Sequence, residues 1–141
     1  MIYVTEDPLD PGIIFSRPTD PAVGALVTFF GVVRNHHDGQ VVANLFYESY
    51  RPMAEKQIHL LVAEARRQWD LRDVYVRHRV GRLVPGETAV AIAVWSDHRA
   101  EAFEAARFLI DEIKHTVPIW KHETYENGVS TWVRCHELAT R

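Results

Sequence analysis

Cysteine and lysine are both scarce in this sequence. The chain of 141 residues has a single cysteine, Cys135, which excludes an internal disulfide and a four-cysteine zinc site. Cys135 has no obvious activating partner, so a catalytic thiol is not expected. Only three of the sixteen basic residues are lysine, at positions 56, 114 and 121. Lysine is therefore not used here as a general surface charge.

Long apolar runs and an excess of basic residues are absent as well. No run approaches the roughly 18–20 apolar residues that span a bilayer, and the N-terminal segment lacks the basic region of a signal peptide. These absences predict a cytoplasmic protein. The net charge of −3 argues against a nucleic-acid-binding domain, which needs an extensive basic face.

The length and the absence of repeats or linkers predict one domain over residues 1–141. Residues 7–21 are expected to form a surface loop with one short helical turn. Turns are predicted at 35–39, around 85–86 and at 127–128. Apolar and β-branched patterns predict strands at residues 24–34, 41–50, 74–80, 88–95, 119–124 and 130–133, the first of them well buried.

Two amphipathic helices are predicted between these strands. The first begins at Pro52, a residue suited to a first helical turn, and runs to about Trp69. The second should end near Thr116, because Pro118 disfavours helical geometry at Val117. Its apolar stripe is predicted to comprise Ala102, Phe103, Ala106, Ile110 and Ile113. The order of elements predicts an α+β domain with a mixed or mostly antiparallel sheet.

Two of the three lysines, Lys114 and Lys121, bracket one short segment. Lysine differs from arginine because a lysine that is desolvated or crowded by other cations can lose its proton and act as a base or nucleophile. Lys114 lies at the edge of the apolar stripe, and Lys121 alternates with Glu123 on one face of an extended segment. The structural alternative for Lys114 is a cation that complements the helix C-terminus, worth about 0.3–1 kcal/mol.

Positive charge stands at two further places where local structure does not explain it. Ser96 or Asp97 can cap the second helix, but His98 and Arg99 add charge to a helix end that is already positive. A bound anion would reverse that cost. Arg34 follows a strand of Val, Phe and Gly, where a guanidinium can point into a pocket and take phosphate in bidentate fashion. Solvated side chains are the alternative at both places. His36-His37 is interpreted as a solvated turn, and no metal site is expected.

Six blocks in a fixed order resemble a known family. They are Gly24–Arg34 with Asn35 and His36, Tyr47-Glu48 through Met53-Ala54, His78-Arg79 through Leu83, Pro85-Gly86-Glu87, His98-Arg99 through Phe103, and Lys114 through Glu123. Together they are similar to the large, catalytic subunit of molybdopterin synthase, the MoaE family, over about residues 24–133. The resemblance implies an α/β-hammerhead fold.

The resemblance also implies a reaction and an assembly. A small ubiquitin-like partner would carry sulfur as a thiocarboxylate on its C-terminal glycine, and the acceptor would be cyclic pyranopterin monophosphate. Lys114 and Lys121 would be catalytic. Arg34, His98 and Arg99 would hold the phosphate, with the backbone near Val32 and Val33 and with His122 and Glu123 completing the pocket. The family often has a polar or basic residue where Val32 stands, so a role there would be through the backbone. No cofactor is implied, and two large subunits would pair within a heterotetramer.

Physical reasoning on the residues agrees with sulfur transfer, because a chain without a suitable cysteine must receive sulfur from a partner. We expect Lys114 to engage the reacting carbonyl and Lys121 to stabilise developing negative charge. The alternative is a non-enzymatic scaffold of the same fold that binds the pterin phosphate or the tail. The lysine pair speaks against it, since arginine alone would serve for anion binding.

Overall fold

The structure is a computed structural model that describes residues 2–18 and 20–134, without the side chain of residue 134. The described residues contain twelve secondary-structure elements. Cys135 lies outside these residues. The elements are β1 (Val4–Thr5), α1 (Gly12–Phe15), β2 (Ala25–Val32), β3 (His36–His37), β4 (Gln40–Ser49), α2 (Arg51–Gln68), β5 (Asp73–Arg79), β6 (Gly81–Leu83), β7 (Thr88–Ser96), α3 (Arg99–Thr116), β8 (Ile119–Tyr125) and β9 (Ser130–Arg134).

The strands are divided between two sheets. Four form a sheet in the order β1-β5-β7-β2, in which only β1 and β5 are parallel. The other five form an antiparallel sheet in the order β3-β4-β8-β9, with β6 paired to β4. The predicted α+β class is confirmed. The sequence did not indicate that the strands divide between two sheets, and β6 was not predicted, because pairing between distant strands leaves no local signal in the sequence.

Both faces of the four-stranded sheet are covered, as the alternation of side chains along its central strand requires. Val90, Ile92 and Val94 of β7 point into the main core beneath α2 and α3. Ala93 and Trp95 point to the opposite face, where Ile14 of the short helix α1 covers them. The strand that was predicted as an apolar run is therefore apolar because it is buried on both sides.

The strand predicted as well buried, residues 24–34, is shorter and more exposed than expected. It forms β2 at the edge of the sheet, where only β7 pairs with it. Leu26, Phe29 and Val32 remain 36–51% exposed. An edge strand lacks a neighbour on one side, which explains the error.

The two long helices begin and end close to the predicted residues. Pro52 lies in the first turn of α2, and α3 ends at Thr116, followed by Val117 in an extended conformation before Pro118. Phe103 is an error in the predicted stripe, because it is 62% exposed. It lies about 100° around the helix from Ala102. The buried stripe of α3 is Ala102, Ala105, Ala106, Leu109 and Ile113. No helix in the described residues is long and apolar enough to cross a membrane.

Candidate functional site

A pocket of about 330 Å³ opens where the end of β2, the paired strands β4 and β8, and the last turn of α3 meet. Gly31 and Val90 form part of its wall, and a Cβ at Gly31 would lie 2.5 Å from a methyl of Val90. Glycine is thus required there for close packing of β2 on β7. The pocket is lined by Gly31, Val32, Val33, Arg34, His36, Leu45, Tyr47, Ala89, Val90, Lys114, Lys121 and Glu123.

Lys114 and Lys121 both line this pocket. Lys114 is partly buried in the last turn of α3. The chain then turns at Val117 and Pro118 and enters β8, where Lys121 points inward and is 6% exposed. Lys56, the third lysine, is exposed on α2. The structure therefore brings together the two lysines that the sequence set apart.

Residues 32–34 lie at the exit of β2, where the chain leaves the sheet. Arg34 is exposed at the pocket, as expected for a side chain that receives a ligand from solvent. The backbone of Val33 is already paired, because its N–H donates to the carbonyl of Glu87 at 2.9 Å and its carbonyl accepts from Gly86 N–H at 2.9 Å. Val33 consequently contributes a buried wall to the pocket rather than a backbone donor.

Glu123 brings a buried carboxylate to the same pocket, at 3% exposure. Its Oε1 contacts Nδ1 of His37 and accepts a hydrogen bond of 3.3 Å from the hydroxyl of Tyr125. Burial, followed by the charge of Glu123, raises the pKa of Tyr125. This hydroxyl therefore stays protonated and remains a donor.

His37 is a residue whose role the sequence interpretation missed. It was assigned to a solvated turn, yet its side chain is only 17% exposed and pairs with Glu123. The turn consists of Asp38 and Gly39 alone, both with positive φ, so His36 and His37 form a short strand against β4. The Asp-Gly dipeptide is a two-residue hairpin signal that would have predicted this placement.

His78 of β5 is the second missed residue. It is 4% exposed and packs edge-on against the ring of Tyr47, with ring centroids 5.1 Å apart. Burial lowers the pKa of His78 to about 4, and the charge of Lys114 acts in the same direction. A single histidine in a strand of mixed composition gives no sequence signal for such a position, because its neighbours come from β4 and α3.

His122 does not reach the pocket. Side chains alternate along β8, so Lys121 and Glu123 point inward while His122 points to the opposite face. There it packs against Trp132, with ring centroids 4.9 Å apart. Its expected part in substrate binding therefore has no basis in the geometry of this chain.

His98 and Arg99 are also remote from the pocket within one chain. They are exposed at the N-terminus of α3, whereas Lys114 lies in its last turn. Fifteen residues separate Arg99 from Lys114, which corresponds to about 22 Å along the helix axis. One copy of the chain therefore does not gather Arg34, His98 and Arg99 into one anion site.

The start of α3 also differs from the predicted cap. His98 occupies the capping position and makes no side-chain hydrogen bond to the helix. The hydroxyl of Ser96 instead donates to the carbonyl of His98 at 2.5 Å. Asp97 forms two hydrogen bonds with Arg72, at 2.6 and 3.0 Å, and this guanidinium lowers the pKa of Asp97. Neither side chain therefore caps the helix.

Comparison with known proteins identifies the group to which this architecture belongs. The model of the family described as MoaE protein matches residues 4–116. The chain belongs to the MoaE family. A relative named molybdopterin synthase catalytic subunit, from Thermoplasma volcanium, is 45% identical over 131 residues, which are 93% of this chain and 96% of the relative.

Solved structures of MoaE-type proteins agree with this assignment. The crystal structure of molybdopterin synthase from Staphylococcus aureus superposes with a TM-score of 0.86 at 36% identity, covering 94% of this chain and 96% of that one. A complex of subunits 1 and 2 of molybdopterin-converting factor from Helicobacter pylori superposes with a TM-score of 0.74, covering 94% and 88% of the two chains. At 20% identity, this second likeness concerns the fold alone.

Proposed function

We propose that this chain is the catalytic subunit of a molybdopterin synthase and acts in the cytoplasm. It would transfer sulfur from the C-terminal thiocarboxylate of a small ubiquitin-like partner to cyclic pyranopterin monophosphate, building the dithiolene of molybdopterin. The observation that carries the proposal is the pairing of Lys114 and Lys121 in one pocket of a MoaE-family chain. The cytoplasmic location rests on the sequence expectation.

The two lysines differ in their surroundings, and this difference suggests their roles. Lys121 is buried at 6% exposure, where a fixed positive charge acts more strongly on developing negative charge than it would in water. Lys114 is partly exposed at the end of a helix, so it can meet an incoming tail. We assign acid–base or nucleophilic contact with the thiocarboxylate carbonyl to Lys114, and charge stabilisation to Lys121.

Glu123 and its partners give the pocket a fixed inner wall. The carboxylate is buried between His37 and Tyr125, and its position on β8 is two residues from Lys121 on the same face. A negative charge there limits how many anionic groups the pocket can hold. Substrate phosphate is therefore expected toward Arg34, at the open side of the pocket.

A second copy of the chain would complete the phosphate site. His98 and Arg99 cannot reach the pocket of their own chain, but a two-fold pairing could present them to the pocket of the other copy. Exposed aromatic residues provide material for such contacts: Phe103, Trp120 and Trp132 are 44–62% exposed. Two of the four tryptophans, Trp120 and Trp132, are thus not hidden in the core of one chain.

Reconstitution tests the proposed function directly. The chain would be incubated with a thiocarboxylated small subunit and cyclic pyranopterin monophosphate, and molybdopterin would be measured. A small subunit ending in an ordinary carboxylate is the matched control and should give no product. Binding of both components without product would favour the non-enzymatic scaffold instead.

Neutralising Arg34 should weaken substrate binding without unfolding the chain. Arg34→Gln removes a charged hydrogen-bond donor, which costs about 1.5–3 kcal/mol, or roughly a 10- to 150-fold rise in Kd. Calorimetric titration with cyclic pyranopterin monophosphate measures this change. Arg67→Gln, at a 72% exposed side chain paired with Glu64 on α2, is the control and should leave Kd unchanged. Equal affinities for the Arg34 variant and the parent chain would remove Arg34 from the site.

The chain is expected to form a dimer in which each pocket contains residues of both copies. Sedimentation should show a dimer at micromolar concentration, and a monomer would contradict this. Mixing an Arg34→Ala chain with an Arg99→Ala chain tests the shared site. Random exchange in a two-fold dimer leaves about a quarter of the pockets with both arginines intact. Activity should therefore reappear on mixing. Full activity of the Arg99→Ala chain alone, or no recovery when two inactive chains are mixed, would contradict the shared site.

Binding of the partner should depend on its last residues. A flexible tail loses conformational entropy when it enters a groove, so its carboxylate-like end must find strong partners. Lys114 and Lys121 are the natural ones, which places the inner end of the groove at this pocket. A partner shortened by two residues should bind more weakly by calorimetry. Full affinity of the shortened partner would show that the tail is not held there.

A further inference from the structure

His78 and Lys114 line a second and much smaller cavity, distinct from the main pocket. Its volume is about 10 Å³, and the remaining lining residues are Val90, Ile110, Ile113 and Ile119. A space of this size holds about one water molecule. Lys114 therefore lines two cavities, the main pocket and this smaller one.

The hydrogen bond of His78 determines which of its two ring nitrogens is left as an acceptor. Nδ1 lies 2.8 Å from the backbone carbonyl oxygen of Arg79. A carbonyl oxygen only accepts, so Nδ1 carries the hydrogen. In a neutral imidazole the other nitrogen, Nε2, then has a free lone pair. The lowered pKa of His78 agrees with a neutral ring at pH 7.

A buried acceptor needs a donor, and the small cavity offers one type of side chain. Its lining residues other than His78 are aliphatic, except for Lys114. An ammonium group can donate three hydrogen bonds. The charge of Lys114 also contributes to the lowered pKa of His78, after the larger effect of burial.

We propose that His78 is a positioning residue for Lys114. One water in the small cavity would bridge the two side chains, donating a hydrogen bond to Nε2 of His78 and accepting one from the Lys114 ammonium group. A lysine side chain loses roughly 1.5–2 kcal/mol of rotamer entropy when it is fixed. A buried acceptor would hold the nitrogen at the pocket wall before the substrate and the partner's tail arrive. This inference rests on the proposed function, in which Lys114 meets the reacting carbonyl.

Two variants of His78 distinguish a role in positioning Lys114 from a purely structural role. His78→Gln places an amide oxygen near the position of Nε2, whereas His78→Asn replaces only the group near Nδ1. We expect His78→Gln to keep kcat within about threefold, and His78→Asn to lower kcat by about 100-fold with KM unchanged, as for a slightly misplaced catalytic group. Thermal unfolding verifies that each variant is folded. If the bond to Arg79 were all that mattered, the order would be reversed, and that result would overturn the proposal.

A spectroscopic measurement tests the contact without using sulfur transfer. Nitrogen-15 NMR of the His78 ring should show a protonated Nδ1 and an unprotonated Nε2. Lys114→Met, which keeps the chain length and removes the ammonium group, should shift the Nε2 resonance, while Lys56→Met should not. An Nε2 resonance unaffected by Lys114→Met would overturn the proposal. An equal response to Tyr47→Phe would do the same, because it would make Tyr47 the donor.

The two measurements also distinguish this inference from the proposed function. If Lys114→Met shifts Nε2 but the reconstituted wild-type system makes no molybdopterin, the contact stands and the proposed function fails. If the wild-type system makes molybdopterin but Lys114→Met leaves the Nε2 resonance unchanged, the proposed function stands and the positioning role of His78 fails.

Discussion

Molybdopterin formation is expected to fall by about 10²–10⁴-fold when Lys114 is replaced by alanine, the range for loss of a positioned acid–base group. The fold should survive, because a lysine in the last turn of a helix contributes less than about 1 kcal/mol to stability. Single-turnover assays with the thiocarboxylated partner measure the rate, and thermal unfolding measures the stability. Lys56→Ala, on the exposed face of α2, is the matched control and should change neither.

Replacing Lys114 by arginine distinguishes a role in proton transfer from a role as a fixed positive charge. Lys114→Arg keeps a positive charge at the end of α3, but arginine does not give up a proton at accessible pH. We therefore expect the arginine variant to bind the partner's tail and still fail in turnover. Near-normal turnover would mean that Lys114 serves only as an electrostatic anchor. Lys56→Arg controls for the substitution itself.

The lysine pair shows what could be predicted from local sequence. Pro118 ends α3 and starts an extended segment, and both effects are local properties of the chain. Alternation along that segment then places Lys121 and Glu123 on one face. The same rule would have placed His122 on the opposite face. Its assignment to the pocket came from the family resemblance, and the strand geometry corrects it.

The contacts that could not be predicted are those between distant segments. His37 meets Glu123 because β3 folds back onto β4 and β4 pairs with β8. His78 and Lys114 line one cavity because the end of α3 lies over the first sheet. No periodicity encodes such pairings, and a lone histidine gives the same local pattern whether it is buried or exposed. The division of the strands into two sheets was missed for the same reason.

The separation of Arg34 from His98 and Arg99 has a different cause. Each was recognised by a local electrostatic anomaly, an arginine after an apolar strand or positive charge at a helix N-terminus. A local charge anomaly indicates that a ligand or partner is needed. It does not indicate that two such anomalies bind the same ligand. The length of α3 settles the distance within one chain. Arg34 and Arg99 can share one ligand only if Arg99 comes from a second copy of the chain. The experiment that mixes the Arg34→Ala and Arg99→Ala chains tests this arrangement.

Acidification should destabilise the chain through His78. Its pKa is lowered to about 4 in the folded state, against an ordinary value of 6.5. Between these values the unfolded chain binds a proton that the folded chain does not, so the free energy of unfolding rises with pH. The stability associated with the neutral ring is present above pH 6.5 and is lost as the pH falls toward 4. A shift of this size corresponds to about 3 kcal/mol.

Comparison of variants isolates this contribution from those of the other histidines. Urea unfolding would be measured from pH 7.5 to pH 4 at one protein concentration, because self-association adds to apparent stability. His78→Gln does not titrate in this range and should lose about 3 kcal/mol less than the parent chain on acidification. His59→Gln, at an exposed position on α2, should follow the parent chain. If the free energies of unfolding of the parent chain and of His78→Gln fall equally between pH 7.5 and pH 4, the folded chain binds a proton at His78 as readily as the unfolded chain does. The proposal that His78 is a buried neutral acceptor would then be incorrect.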